Sequence, residues 1–144
     1  MNRHDDGFAA VDAYEVAEAH WPYDGPYDPE LTTAAAVMVE RLVRYLNNAT
    51  TKPPALSCAA TAGSVLASLH AAVFGLGQLV GQLAHFAVEQ AGDPTLYDDR
   101  RDRSGRLTAL LLATELGEVG MAVRGLVDPL GRAAGTASHL GNDR

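Results

Sequence analysis

Three stretches of the chain space their apolar residues at alternating steps of three and four, which is the spacing of one helix face. The first predicted helix begins at Asp28-Pro29-Glu30, where the Asp28 carboxylate can cap free backbone N–H groups and proline is tolerated. It covers roughly 20 residues and ends before the two prolines Pro53 and Pro54. Its apolar positions are Leu31, Ala35, Met38, Leu42, Tyr45 and Ala49.

The second stretch runs from about Ala55 to Gln90 and carries the longest repeat. Ser57 is its predicted cap, and Gly92-Asp93-Pro94 ends it. The repeat consists of Ala62, Leu66, Leu69, Val73, Leu76, Val80, Leu83 and Ala87, flanked at intervals of seven by Val65, Ala72, Leu79 and Phe86. The apolar face is therefore wide enough to contact two neighbouring helices.

The third stretch repeats the pattern after a charged loop. Its positions are Ala109, Leu112, Leu116, Val119, Val123, Leu126 and Leu130, continued by Ala133, Ala137 and Leu140. Pro129 interrupts the stretch, but the apolar phase is the same on both sides, which favours one helix kinked at Pro129 over two helices. No stretch shows strand-like alternation, so the predicted class is all-α.

The predicted architecture is an antiparallel bundle of three main helices, one shorter and two long, in a domain spanning residues 29–144. Residues 1–28 form an acidic, aromatic and turn-rich segment with a possible short helix from Phe8 to Ala19. The two long helices extend beyond the first, so part of their apolar surface needs another cover. We expect a second copy of the chain to supply it, with the aromatic segment as a partial lid.

Glycines inside the long helices give a second argument about packing. Each costs about 0.8–1 kcal/mol relative to alanine. The spacings Gly77-x-x-x-Gly81 and Gly131-x-x-x-Gly135 suggest that neighbouring backbones approach closely. Compositional drift in an alanine-rich and glycine-rich sequence explains them equally well.

Charge is concentrated at one end of the chain. The 144 residues include 11 basic and 18 acidic side chains, and the excess of seven acids lies between Met1 and Glu30. This balance argues against a strongly basic nucleic-acid binder, and the single cysteine, Cys58, argues against a disulfide-built mini-protein. Acidic residues interrupt the first twenty positions, so no secretory signal is expected and the predicted location is the cytoplasm.

The longest uncharged stretch, from Pro53 to Val88, raises the question of a membrane span. A polar stripe at helical spacing instead favours a soluble amphipathic helix: Gln78, Gln82, His85 and Glu89. His85 and Glu89 could both reach one metal ion, but the sequence supplies no third ligand. A solvated stripe or a hydrogen-bonded ladder is therefore expected, with no metal or other cofactor.

A cluster of arginines follows the second predicted helix. Arg100, Arg101 and Arg103 could grip phosphates, but the three aspartates of Asp98-Asp99-Arg100-Arg101-Asp102-Arg103 nearly neutralise them. We expect a solvated, internally ion-paired loop, at which any nucleic-acid binding would be weak and very sensitive to salt. Nucleophile, phosphate-loop and zinc motifs are also missing from the sequence, so no enzymatic activity is expected.

Two short runs, Arg44-Tyr45-Leu46-Asn47-Asn48-Ala49-Thr50 and Asp93-Pro94-Thr95-Leu96-Tyr97-Asp98-Asp99-Arg100, resemble small helical proteins of high-GC actinobacteria. The resemblance implies a helical fold and no particular activity.

The predicted function is therefore non-enzymatic binding of the chain to itself or to another protein. The candidate interface residues are Leu66, Leu69, Val73, Leu76, Val80, Leu83 and Phe86 on the second helix, and Leu112, Leu116, Val119, Val123 and Leu126 on the third. The alternative is a ligand-binding or nucleic-acid accessory module whose cleft lies beside Trp21, Tyr23 and Tyr27.

Overall fold

The computed structural model describes residues 11–142, and within them the regular structure is entirely α-helical. The helices are α1 (Ala13–His20), α2 (Pro29–Ala49), α3 (Ala59–Gln90) and α4 (Gly105–Ala137). The predicted all-α class is confirmed. The chain divides between Ala55 and Leu56 into two compact units.

In the first unit, α1 begins where the sequence offers a cap. The Asp12 carboxylate accepts hydrogen bonds from the backbone N–H groups of Tyr14 and Glu15, at 2.9 and 3.1 Å. A short helix was expected from Phe8, and residues 8–10 lie outside the described part of the chain. After α1, the indole Nε1 of Trp21 donates to the carbonyl oxygen of Leu31 at 3.1 Å, which ties the proline-rich turn to the start of α2.

The predicted start and end of α2 are confirmed. Asp28 is its N-cap and accepts from the backbone N–H of Leu31 at 2.8 Å, while Pro29 occupies the first turn. The helix ends at Ala49. None of its residues is buried, and Glu40 pairs with Arg44 one turn away at 3.2 Å.

In the second unit, α3 and α4 pack together as an antiparallel hairpin. Gly63 lies beside Ala137, His70 beside Gly131, and Val80 beside Gly120. Each step along α3 towards the loop is thus matched by an equal step back along α4. Helix α4 continues through Pro129 without interruption, so the prediction of one helix rather than two is confirmed.

The line along which α3 and α4 touch uses only part of the apolar repeat, in which Leu69, Leu76 and Leu83 alternate with Leu66, Val73, Val80 and Ala87. Leu76 and Leu83 are exposed, and the hairpin packs on the other side of Val73 and Val80, where α3 carries glycine and alanine. The buried residues of this contact are Val80, Ala87 and Ala91 from α3 and its cap, and Ala109, Gly120, Val123 and Ala137 from α4. Gly105 is also buried, against the loop.

The position of this contact on the surface of α3 has a steric reason. Small side chains let two helix backbones come close together, and leucines on the flanks then project past the contact. Only the first glycine of each predicted motif lies at the contact between the helices. A Cβ atom on Gly77 would lie 3.7 Å from Cγ of Arg124, and one on Gly131 would lie 3.0 Å from Nε2 of His70. Gly81 and Gly135 have open space around them.

The sequence predicted Ser57 as the cap of α3, but Ser57 does not occupy the N-cap position. Cys58 occupies the N-cap position, and its side chain makes no capping hydrogen bond. Asn142, beyond the end of α4, supplies one instead, because its Oδ1 accepts from the backbone N–H of Ala59 at 2.9 Å. The chain after α4 thus closes the end of the hairpin opposite its loop.

Candidate interaction surface

The most prominent surface of the hairpin is a set of large apolar side chains that the α3–α4 contact leaves uncovered. We call it the apolar face, and its members are Leu76, Leu79, Leu83 and Phe86 of α3 and Leu112, Val119 and Leu126 of α4. Their exposed fractions lie between 41% for Leu76 and 56% for Leu126. Isolated exposed leucines are ordinary on a protein surface, but a contiguous group marks a candidate binding site.

These side chains lie on one side of the hairpin because of their helical positions. On α4, each of the three members of the apolar face comes three residues after a buried or half-buried residue of the contact with α3. Val119, for example, comes three residues after Leu116. On α3, Leu76 and Leu83 follow Val73 and Val80 in the same way. Positions offset in the same direction on two antiparallel helices lie on the same side of the pair. The observed register places Leu83 within about 3 Å of the level of Val119, and Leu76 within about 3 Å of the level of Leu126.

The candidate interface residues predicted from the sequence fall into two groups. Six of them belong to the apolar face: Leu76, Leu83, Phe86, Leu112, Val119 and Leu126. The others lie within or along the α3–α4 contact: Val80 and Val123 are buried, and Leu66, Leu69, Val73 and Leu116 are half-buried. Leu79 was missing from the predicted set, although its place in the flanking repeat of seven marked it as apolar.

The polar stripe of α3, Gln78, Gln82, His85 and Glu89, is exposed along its whole length. Nε2 of His85 lies 3.3 Å from Oε1 of Glu89, as a pair one turn apart on the helix surface. Within residues 11–142 no group of three side chains is placed to hold a metal ion. The stripe therefore offers a surface for water or for polar contacts.

Helix α3 is also long and apolar enough to cross a membrane, judged by length and composition alone. In the hairpin it packs against α4, which carries Glu115, Glu118, Arg124 and Arg132. Charged side chains are costly inside a bilayer. The hairpin as a unit is therefore poorly suited to insertion, and the absence of a membrane partner stays a prediction.

The charged loop between α3 and α4 is organised around Asp98, whose side chain is 2% exposed. The Arg100 guanidinium donates to both carboxylate oxygens, from Nε at 3.2 Å and Nη2 at 3.0 Å. The Thr108 hydroxyl and the backbone N–H of Arg100 donate to the same carboxylate. Arg103 in turn lies 3.5 Å from the Asp102 carboxylate. Two of the three candidate phosphate-binding arginines are thus engaged within the loop, while Arg101 is exposed and has a positive φ of 57°.

The Asp98 network predicts a pH dependence of stability. Hydrogen bonds from Arg100 and then Thr108 hold the pKa of Asp98 well below its usual range. Because the folded-state pKa is below the unfolded value of about 3.9, this contribution is complete above about pH 5 and is lost progressively as the pH falls from there towards the lowered pKa of the folded state. Asp98→Asn should therefore reduce stability at neutral pH and flatten its dependence on pH between about 5 and 2.

Urea denaturation of both proteins across that pH range measures the effect. Hydrogen bonds from Thr95 also lower the pKa of the Asp93 carboxyl. Because Asp93 is unchanged in the variant, part of the pH dependence of stability should remain. Parallel curves for Asp98→Asn and the unaltered protein would show that Asp98 has no such role.

The aromatic segment is only partly assembled into a site. Trp21 is half-buried and lines a shallow, mainly apolar hollow on α2, together with Pro29, Ala34, Val37 and Met38. Tyr23 and Tyr27 are 86% and 79% exposed and lie outside that hollow. Ligand binding beside all three aromatic residues stays a prediction.

Comparison of the chain with protein families, with curated proteins and with solved structures gave no match. Function is therefore inferred from the surfaces of the molecule.

Proposed function

We propose that this protein is a non-enzymatic helical interaction module that binds a second copy of itself through the apolar face. Seven large apolar side chains, each about half exposed, carry the proposal, because they lie on one side of a hairpin whose own contact leaves them uncovered. Covering this surface with a complementary one removes apolar area from water, which favours association.

The expected gain is large enough to drive association. Covering the exposed half of a leucine contributes about 1 kcal/mol, and each copy of a symmetric dimer contributes seven such side chains. The total is about 14 kcal/mol, and the association cost lies between about 4 and 15 kcal/mol. With a cost of about 6 kcal/mol, the surplus of about 8 kcal/mol corresponds to a dimer that forms at micromolar concentrations.

The three-helix bundle predicted from the sequence gives the competing cover. In that arrangement α2 of the same chain would lie on part of the apolar face and leave a smaller surface for a second copy. Binding to nucleic acid is disfavoured because Arg100 and Arg103 already pair with aspartates within their own loop.

Self-association couples folding to protein concentration, which gives a direct test. For a dimer, a tenfold rise in concentration stabilises the folded state by about 1.4 kcal/mol. With a urea dependence of about 1–3 kcal/mol per M, the unfolding midpoint should rise by about 0.5–1.4 M. Circular dichroism in urea at several protein concentrations measures the midpoint. A midpoint that does not move with concentration would contradict self-association and favour the intramolecular cover.

A further inference from the structure

We infer that the two copies meet face to face with their α3–α4 loops at opposite ends, about a two-fold axis that passes near Ala122. This inference rests on the proposed self-association and adds the orientation of the partner. It follows from the size of the apolar face and from the charges along its edge.

The size of the face agrees with what a specific dimer needs. Leu69, Ala72 and Ala133 occupy the same flank and extend the apolar face towards the chain ends of the hairpin. From the level of Leu112 to that of Leu69, the face is about 30 Å long, and two adjacent helices make it about 20 Å wide. Each copy would contribute roughly 600 Å² and the pair roughly 1,200 Å², at the lower end of specific interfaces. The middle of this face lies at Ala122.

Charges lie along the outer edge of α4, next to the apolar face. Glu115 and Glu118 lie towards the loop, and Arg132 lies about 21 Å from Glu118 towards the other end. All three side chains are exposed, and none forms an ion pair with another residue of the described segment 11–142. This edge is therefore acidic at one end and basic at the other.

Two face-to-face orientations are compatible with two-fold symmetry, and the charges distinguish them. With loops at opposite ends, α4 of one copy runs antiparallel to α4 of the other, and an axis at Ala122 brings Glu115 within one turn of the level of the second copy's Arg132. With loops at the same end, α4 lies beside α3 of the second copy, and Glu115 lies about one turn from the level of Glu89. Opposite charges favour the first orientation and like charges disfavour the second.

A single cysteine near the two-fold axis tests the orientation with little change in side-chain volume. Cys58 is exposed and free, so it is first replaced by serine. In that background, Ala122→Cys should form a disulfide-linked dimer on mild oxidation, because the two copies of position 122 face each other. The matched control is Thr114→Cys, also exposed but on the side of α4 turned away from the apolar face; it should remain mostly unlinked.

Charge reversal gives an independent readout. Glu115→Arg and Arg132→Glu should each raise the dimer dissociation constant about tenfold, because each places like charges together twice in the symmetric dimer. The double variant should return to within about threefold of the unaltered protein. Sedimentation measures the three dissociation constants.

The outcomes separate this inference from the proposed function. A dimer that links equally through positions 114 and 122, or whose double charge variant is no better than the single variants, overturns the orientation and leaves self-association standing. An unaltered protein that is monomeric overturns both.

Discussion

Leu83→Asp is expected to raise the dissociation constant of the dimer at least 100-fold while the hairpin stays folded. Leu83 lies in the middle of the apolar face of α3 and is 46% exposed, outside the buried contact with α4. The substitution removes one apolar side chain from each copy and places two carboxylates in a surface that should exclude water. Burying an unpaired charge costs several kcal/mol, which corresponds to at least two orders of magnitude in affinity.

Val88→Asp is the matched control for this variant. Val88 is 51% exposed, on the same helix, but it lies on the other side of the hairpin. The control should keep both its helicity and its mass in solution. Circular dichroism and light scattering separate loss of folding from loss of association. Equal effects of the two variants on mass would show that the apolar face has no special role.

Gly105→Ala is expected to lower the free energy of unfolding by about 3 kcal/mol, the upper end of the overpacking cost. Gly105 is the first residue of α4 and lies against the backbone that leads into Asp98. A Cβ atom there would meet the carbonyl group of Leu96 and would lie 2.7 Å from the backbone nitrogen of Tyr97. Because these are backbone atoms, a side-chain rotation cannot relieve the clash. The loop or the start of α4 must move.

Gly117→Ala tests the opposite case within the same helix. A Cβ atom on Gly117 would meet nothing within 4 Å. The substitution should therefore raise the free energy of unfolding by about 1 kcal/mol, through helix propensity alone. Urea denaturation of both variants at one protein concentration measures the difference. A loss of stability in both, or in neither, would contradict the close approach of the loop to α4.

Local chemistry made much of the helical structure predictable. The start of α2 depends on Asp28 and Pro29, which act within a single turn, and its end precedes Pro53 and Pro54. The continuity of α4 through Pro129 was readable from the unchanged apolar phase. Ser57 was a plausible cap for α3, but the hydrogen bond comes from Asn142, whose distance along the chain hid it from local inspection.

The contact between α3 and α4 was harder to predict, because two repeats overlap in the same sequence. Both repeats contain Leu66, Val73 and Val80. The repeat predicted from the sequence adds Leu69 and Leu76, whereas the repeat that packs against α4 adds Gly63, His70 and Gly77. Steps of three and four fit both sets. The choice depends on how closely two backbones approach, which is a property of the pair of helices. For the same reason, the sequence predicted a wide apolar surface but did not show which of its residues pack against α4 and which stay exposed.

Sedimentation equilibrium of the unaltered protein over a wide range of concentrations tests the central claim most directly. The chain has a mass of 15.2 kDa, and we predict that the measured mass rises to twice that value in the micromolar range. A mass that stays at 15.2 kDa at every concentration, with the helices intact, would contradict the account.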